Sequence, residues 1–203
     1  MTEVLIRSAN QDEIDLIVNI HIISFHGFFL TMLGESFLKK MYSAFLVREY
    51  GLMRVAVDSN HAIVGFSAGT LVPELYFSSL RKKMWFSFLV ASIPGIINNP
   101  IKVLRKLYYA MFYKGDSPAA IQKAALLSSI AVLPSMAGKS VGKALLADFE
   151  QQIMRAGVNC LYLTTDKHGN DAVVGFYTKA GYQIESEFTQ PDGRQMLRLT
   201  KSL

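Results

Sequence analysis

Short apolar runs alternate with amphipathic stretches along the chain, and the two periods place its elements. Leu126 to Val132 (LLSSIAV) is an apolar run of strand length, followed by Pro134 opening a turn and by a loop with Gly138 and Gly142. Beyond the loop, Val141, Leu145, Leu146, Phe149 and Ile153 recur at spacings of three to five, with Lys143, Asp148, Glu150 and Gln151 on other faces. This is an amphipathic helix that packs on a sheet. Upstream, Val4, Leu5 and Ile6 with Arg7 predict a short strand. Ile14, Ile17, Val18, His21 and Ile22 then predict a helix capped near Asn10 or Asp12. A second helix carries Phe37, Met41, Tyr42, Ala44 and Phe45. Between the two helices, His26, Phe28, Phe29 and Met32 cluster around Gly27 and Gly34, either as core or as the wall of a substrate pocket. Leu52–Val57 and Ala62–Leu71 predict two strands across the turn Asp58-Ser59-Asn60, with Gly65 and Gly69 marking bends in the second. Gly157 ends the central helix in a left-handed cap, Asn159–Thr164 predicts another strand, and Tyr182–Phe188 with Gln195–Thr200 predicts a closing hairpin across Gln190 to Gly193.

Composition narrows the class. A chain of 203 residues, 51% hydrophobic and 18% charged, is not disordered and suits one domain over 1–203. The one cysteine, Cys160, has no internal disulfide partner; it fits a reducing compartment and reads as a core residue. The start, MTEVLIRSANQDE, lacks an apolar signal region, so a cytoplasmic protein is expected. The net charge of +5 is unevenly spread. Leu75 to Ala125 holds eight Lys/Arg against Asp116 alone, a segment charge of +7, which leaves −2 for the rest and suggests an anionic partner for that segment.

The basic segment lies within an insert at about 74–118. Its apolar run from Met84 to Ile97, about 14 residues interrupted by Pro94 and Gly95, falls short of the roughly 20 needed to span a bilayer. Two helices joined near Pro94 to Pro100 are expected, the second with Ile101, Leu104, Leu107, Tyr108 and Met111 along one face. Three readings stand open: a lid packed on the core, an interfacial helix pair that makes the protein peripheral to an anionic membrane, or a contact between copies in a homodimer.

The strand-loop-helix at Leu126–Phe149 carries the chemistry. A strand turning through small residues into a helix leaves the first helical N–H groups pointing outward at the positive end of the dipole, a place that binds phosphate. Gly142 in the first turn costs about 1 kcal/mol of helix propensity, which makes sense if a ligand must approach the backbone. Lys139 and Lys143 add charge beside it. An ordinary crossover whose glycines merely make the turn is the alternative. A P-loop is excluded because Leu133 stands where its first glycine belongs, and G-x-G-x-x-G fails on spacing.

The run resembles the pyrophosphate loop of the GNAT superfamily of acyl-CoA-dependent N-acyltransferases, V-x-P-x-x-R-G-x-G-[IV]-G-x-x-L-[LM]. Val132, Pro134, Gly138, Val141, Gly142, Leu145 and Leu146 carry the match, whereas Ala137 and Ser140 replace the usual Arg or Gln and the middle Gly. A second GNAT signature, N-x-x-A-x-x-[FL]-Y-x-[KR]-x-G-[FY], is resembled through Asn170, Val173, Phe176, Tyr177, Lys179, Gly181 and Tyr182, with Ala172 one position early. The order of strand, two helices and hairpin before these motifs is similar as well.

This resemblance implies an α/β GNAT fold: a mixed, mostly antiparallel central sheet, splayed at the cofactor wedge and flanked by helices, here with an extra helical insert. It implies acetyl-CoA as cosubstrate, with the pantetheine arm on the backbone of Ile130 and Val132. The diphosphate would sit on Gly138, Lys139, Ser140, Val141 and Gly142, with Lys143 and Asn170 completing the cofactor-binding set. Tyr177 would return a proton to the leaving thiolate, its alternative reading being a core aromatic beside Phe176. His26, Phe28 and Phe29 are the candidate substrate-binding residues. Many relatives carry a Glu near the start of the central strand, where this chain has Leu126, Leu127, Ser128 and Ser129. The general base therefore stays unassigned among His21, His26, Glu35, Glu74, Asp166 and a water relay from Ser128 or Ser129. No metal set and no nucleic-acid partner is assigned. The expected activity is acetyl transfer to a primary amine of a small molecule. An amino sugar is suggested because SFHGFFLTMLGESFLKKMY resembles bacterial GNATs associated with surface-polysaccharide sugars. A protein or peptide amine, or an acyl-CoA-binding regulator without turnover, are the alternatives.

Overall fold

Apolar runs that are buried along most of their length at the middle of the sheet assemble one seven-stranded sheet. The computed structural model describes residues 4–26, 28–98, 100, 123–190 and 193–203. Strands β1 (Leu5–Ser8), β2 (Gly51–Val57), β3 (Ile63–Thr70), β4 (Ala125–Val132), β5 (Cys160–Asp166), β6 (Gln183–Thr189) and β7 (Gln195–Ser202) lie in the order β1-β2-β3-β4-β5-β7-β6. Every neighbouring pair is antiparallel except β4 with β5. The sheet is mixed, mostly antiparallel and flanked by helices, as the resemblance implies.

Helices cover both faces. Ile17, Val18 and Ile20 of α1 (Ile14–Ser24) and Leu38, Tyr42 and Phe45 of α3 (Glu35–Val47) pack with Val55, Phe66 and Ala68 in one core. Leu146, Phe149 and Ile153 of α6 (Val141–Arg155) and Tyr177 of α7 (Asp171–Lys179) pack with Leu127, Leu161, Leu163 and Leu199 in another. The segment between α1 and α3 contains a single short turn of helix, α2 (Phe29–Met32), that periodicity over so few residues does not reveal.

α6 lies close to the sheet because β3 presents small side chains there. A Cβ on Gly69 would meet the Leu126 carbonyl oxygen at 2.0 Å and Phe149 Cζ at 2.8 Å, so this glycine is demanded by close approach rather than by its φ. A charged clamp acts at the same interface. Arg54 of β2 donates from Nε to Asp148 Oδ2 at 2.6 Å and from Nη2 to Oδ1 at 3.0 Å, with both side chains largely buried.

In the insert, α4 (Pro73–Ala91) begins on Pro73, whose missing N–H is harmless at the first helical position. The chain breaks at Ser92 and resumes as α5 (Ile93–Asn98); the expected junction near Pro94 to Pro100 leads into residues outside those described. Pro94 is accommodated in the first turn of α5 for the same reason as Pro73. The expected second helix, with Ile101 to Met111, lies outside the described residues, as does Gly27. Cys160 is half-buried at the start of β5, where burial pushes its thiol pKa up; it is less enclosed than a core residue.

Arg54→Met is expected to lower the unfolding free energy by about 2 kcal/mol, since it strands a mostly buried carboxylate. The measurement is the urea midpoint of the variant against the parent, with Asp148→Asn expected to cost less.

Candidate active site

The site begins with a parting of strands. β4 and β5 pair only through Ala125 with Leu161 and Leu126 with Tyr162, although β4 continues to Val132 and β5 to Asp166. A bulge in β4 coincides with the parting: Ala68 opposes Ser129 and Gly69 opposes Leu127, which leaves the exposed Ser128 without an opposite residue. Ile130 and Val132, expected to present backbone to a cofactor, both lie on the splayed stretch. They remain paired to Ser67 and Gly65 of β3 on the other side. The Ser24 hydroxyl lies 3.4 Å from the Val132 carbonyl as donor.

At its end β4 runs through Leu133 into a 3-10 turn, Pro134–Met136, and then into the loop before α6. Met136, Ala137 and Lys139 donate backbone hydrogen bonds within the turn, and Ala144 donates to Ser140. The amides of Gly138, Ser140, Val141, Gly142 and Lys143 find no backbone acceptor among the described residues. Two residues bend the loop with positive φ, Gly138 at 75° and Ser140 at 63°. Ser140 thus holds a left-handed conformation that costs a non-glycine residue about 1–2 kcal/mol. Gly142 is different. A Cβ there would meet nothing nearer than 3.7 Å, the ring of Phe176, so the fold has room for alanine. Lys139 and Lys143 are exposed beside the loop.

The second motif docks against the first. Asn170 precedes α7 and ties it to the end of β5, its Nδ2 donating to Thr165 Oγ1 at 2.6 Å and to the Asp166 carbonyl at 3.1 Å. On α7, Phe176 reaches over Gly142, and Tyr177 lies 5% exposed between Phe176 and Tyr182, at ring distances of 5.1 and 5.5 Å. Burial pushes the Tyr177 phenol pKa up, so it stays protonated throughout the neutral range.

On the α1–α3 side, His21 is 2% exposed, with Nδ1 2.6 Å from the Tyr42 hydroxyl, and Tyr42 in turn is hydrogen-bonded to Ser129. Burial lowers the His21 pKa to about 4. Past the C-terminal end of β5, Asp166, His168, Gly193, Arg194 and Gln195 line a cavity of about 330 Å³. Arg194 donates to both carboxylate oxygens of Asp166 at 2.6 Å and sits 5.7 Å over the ring of Phe28, which is 44% exposed. His168 and Gln195 are joined ring nitrogen to side-chain oxygen at 2.7 Å. Of the substrate-binding candidates, Phe28 is thus brought to this cavity, Phe29 is half-buried at the start of α2, and His26 is exposed in the turn after α1. Sequence reading missed His168, Arg194 and Gln195. The closing hairpin reads as a plain turn, and only the sheet order brings its tip beside the end of β5.

Residues 109–182 match the acetyltransferase (GNAT) family. That stretch carries a GNAT acetyltransferase domain. No curated protein matches it by sequence. Among solved structures of like fold, SsHAT superposes with a TM-score of 0.70 at 18% identity, covering 98% of each chain. The ribosomal-protein-S18-alanine N-acetyltransferase from Escherichia coli gives a TM-score of 0.61 at 15% identity, covering 98% of this chain and 94% of the other. PaiA N-acetyltransferase from Thermoplasma acidophilum, solved in complex with coenzyme A, gives 0.60 at 15% identity, covering 99% of each. Through that domain the chain falls in the acyltransferase class of enzymes.

The buried histidine makes stability depend on pH. Unfolded imidazole takes its proton near pH 6.5 and folded His21 only near 4, so the unfolded state binds more protons across that window. Stability is expected to hold above about pH 6.5 and to fall by about 3 kcal/mol on descent to about pH 4, at 1.36 kcal/mol per pH unit. Urea midpoints measured across this range check it, and His21→Phe should flatten the profile.

Proposed function

We propose that this GNAT enzyme transfers an acetyl group from acetyl-CoA to a primary amine of a small molecule, with an amino sugar as the acceptor class. The observation that carries the cosubstrate reading is Gly142. Nothing in the protein excludes a side chain there, yet the helix forgoes about 1 kcal/mol of propensity at the point where free amides converge. A ligand approaching the backbone explains the glycine, and an anionic diphosphate suits amides at a helix N-terminus beside Lys139 and Lys143. Gly138, Ser140 and Val141 supply further amides, and Asn170 holds the β5–α7 junction that frames the wedge. The backbone of Ile130 and Val132, unpaired toward β5, suits the amides of a pantetheine arm.

Bound there, acetyl-CoA supplies an activated thioester. The acceptor nitrogen forms a bond to the acyl carbon, the carbon–sulfur bond breaks, and the sulfur leaves as thiolate. Tyr177, protonated at neutral pH and placed on the helix that overlies the loop, gives that thiolate its proton. The cavity beside Phe28 supports the acceptor class. An exposed aromatic ring with carboxylate, guanidinium, imidazole and amide groups around it offers both apolar contact and hydrogen bonds to a hydroxyl-rich ring.

Tyr177→Phe is expected to lower kcat about 100-fold while leaving coenzyme A affinity within about twofold, because general acid assistance contributes 10²–10⁴-fold to rate. Thiol release from acetyl-CoA with a panel of amino sugars, polyamines and peptides reads the rate, and calorimetry reads the affinity. Undiminished turnover removes Tyr177 from the mechanism. Coenzyme A binding with no thiol release from any amine replaces the enzyme with an acyl-CoA-binding regulator.

Gly142→Ala separates fold from function at the loop. It should raise thermal stability, since alanine gains about 1 kcal/mol in a helix, and should weaken coenzyme A binding at least tenfold. Unweakened binding by calorimetry moves the diphosphate elsewhere.

A further inference from the structure

Helix α4 and the α5 that follows carry apolar residues on opposite sides. The inner side is accounted for by the core. Tyr76 is 1% exposed and stacks on Phe45 with ring centroids 5.0 Å apart, Phe77 and Leu80 pack beside it, and Phe88 lies 5.2 Å from Phe37. Among the described residues, the outer side is far more exposed. Trp85 is 56% exposed, Phe86 62%, Leu89 42%, Ile93 47% and Ile97 73%. Phe86, Leu89, Ile93 and Ile97 follow one another at spacings of three and four, a single stripe along the helix pair. Exposed Lys82 and Lys83 stand one turn before Phe86, at the head of that stripe.

A helix apolar all round is at home buried in protein or in lipid, and a contiguous exposed apolar patch marks an interaction surface. The charge pattern decides which. Between Glu74 and Asp116 the chain has no carboxylate, so this face offers cations, an indole and aliphatic side chains but no anion. Two copies meeting through it about a two-fold axis would bring together two cationic faces, neither of which has a carboxylate from this segment to pair the lysines. An anionic bilayer surface takes both parts, with side chains such as Trp, Phe and Ile at the acyl boundary and lysines at the phosphates. Among the described residues no helix is long and apolar enough to cross a membrane, so the contact is one of lying on the surface.

We propose that the outer face of α4 and α5 seats the protein on an anionic lipid surface, with Trp85, Phe86, Leu89, Ile93 and Ile97 entering the acyl boundary and Lys82 and Lys83 meeting headgroup phosphates. The inference is independent of the acyl-transfer reading, because none of these residues belongs to the loop or to the cavity by Phe28.

Trp85 is the only tryptophan in the chain, so its fluorescence reports this face alone. With the full-length protein and vesicles of phosphatidylcholine mixed with phosphatidylglycerol, its emission should shift to the blue, brominated acyl chains should quench it, and the protein should float with the vesicles. Vesicles of phosphatidylcholine alone should bind it far less. Lys82→Gln with Lys83→Gln should weaken partitioning about 30-fold, roughly fivefold per lysine. Phe86→Ser with Ile97→Ser should abolish flotation without changing the far-ultraviolet circular dichroism, since both side chains face outward. Failure to float with anionic vesicles overturns the proposal. So does a Trp85 emission already blue-shifted without lipid: sedimentation equilibrium would then assign the face to a second copy if the protein is dimeric, or to the chain's own fold if it is monomeric.

Discussion

Two parallel strands that share only the pairs Ala125–Leu161 and Leu126–Tyr162 leave a stretch of backbone that the sheet itself does not satisfy. Backbone donors and acceptors away from water need partners, and here each strand is paired along its outer side, β4 to β3 except at the bulged Ser128 and β5 to β7 throughout. The unmet groups therefore face one another across a gap inside the sheet instead of lying at an edge. Such a gap accepts an extended, amide-bearing chain, which can complete the ladder on the β4 side much as a strand would. The bulge at Ser128 helps keep the gap open, because an extra residue in β4 bends the strand and increases its twist at the point of separation.

The two halves of the site are held together by packing rather than by charge. Phe176 over Gly142 places α7 against the first turn of α6, and Asn170 fastens the start of α7 to the end of β5. The loop's shape is set by backbone conformation at Gly138 and Ser140. Serine in a left-handed conformation is a cost the surrounding turn must hold in place, and the residue before the glycine, Ala137, offers no cation. In the proposed reading, anion binding at this loop therefore falls to oriented amides, with Lys139 and Lys143 as the charges at hand.

Much of this was legible in the sequence because the relevant periods are local. The apolar run of β4, the stripe from Val141 to Ile153 and the glycine caps at Gly157 and Gly181 each declare themselves within a few residues, and the structure places left-handed glycines at both caps. The splay and the bulge were not legible from spacing, since they depend on which strands become neighbours; only the family resemblance implied a wedge. Arg194, His168 and Gln195 were invisible for a related reason. They lie far along the chain from Phe28 and Asp166 or read as turn residues, and a seven-stranded order had to exist before Arg194 could lie over Phe28. In the insert, the expected second helix lies outside the described residues, and the break at Ser92 within the first apolar run was not legible. Pro94 looks like a breaker in sequence, whereas in the first turn of α5 it does no harm.

The distribution of charge around the wedge bears on how an acceptor amine loses its proton. Asp166 is engaged on both oxygens by Arg194, Glu35 is paired with Lys39, and His21 is buried at Tyr42 with its pKa near 4. The polar chain from His21 through Tyr42 to Ser129 reaches β4 beside the bulge but carries no negative charge. Since none of Asp166, Glu35 and His21 offers a free base beside Ser128 and Ser129 on β4, an ammonium held there in the proposed reading gains little from them and yields its proton to water or to a weakly basic hydroxyl chain. That requirement bears less on an amine whose ammonium is already acidified by neighbouring electron-withdrawing oxygens than on an isolated alkylamine. It is a physical reason, separate from the cavity lined by Asp166, His168 and Arg194, for the proposed hydroxyl-rich acceptor.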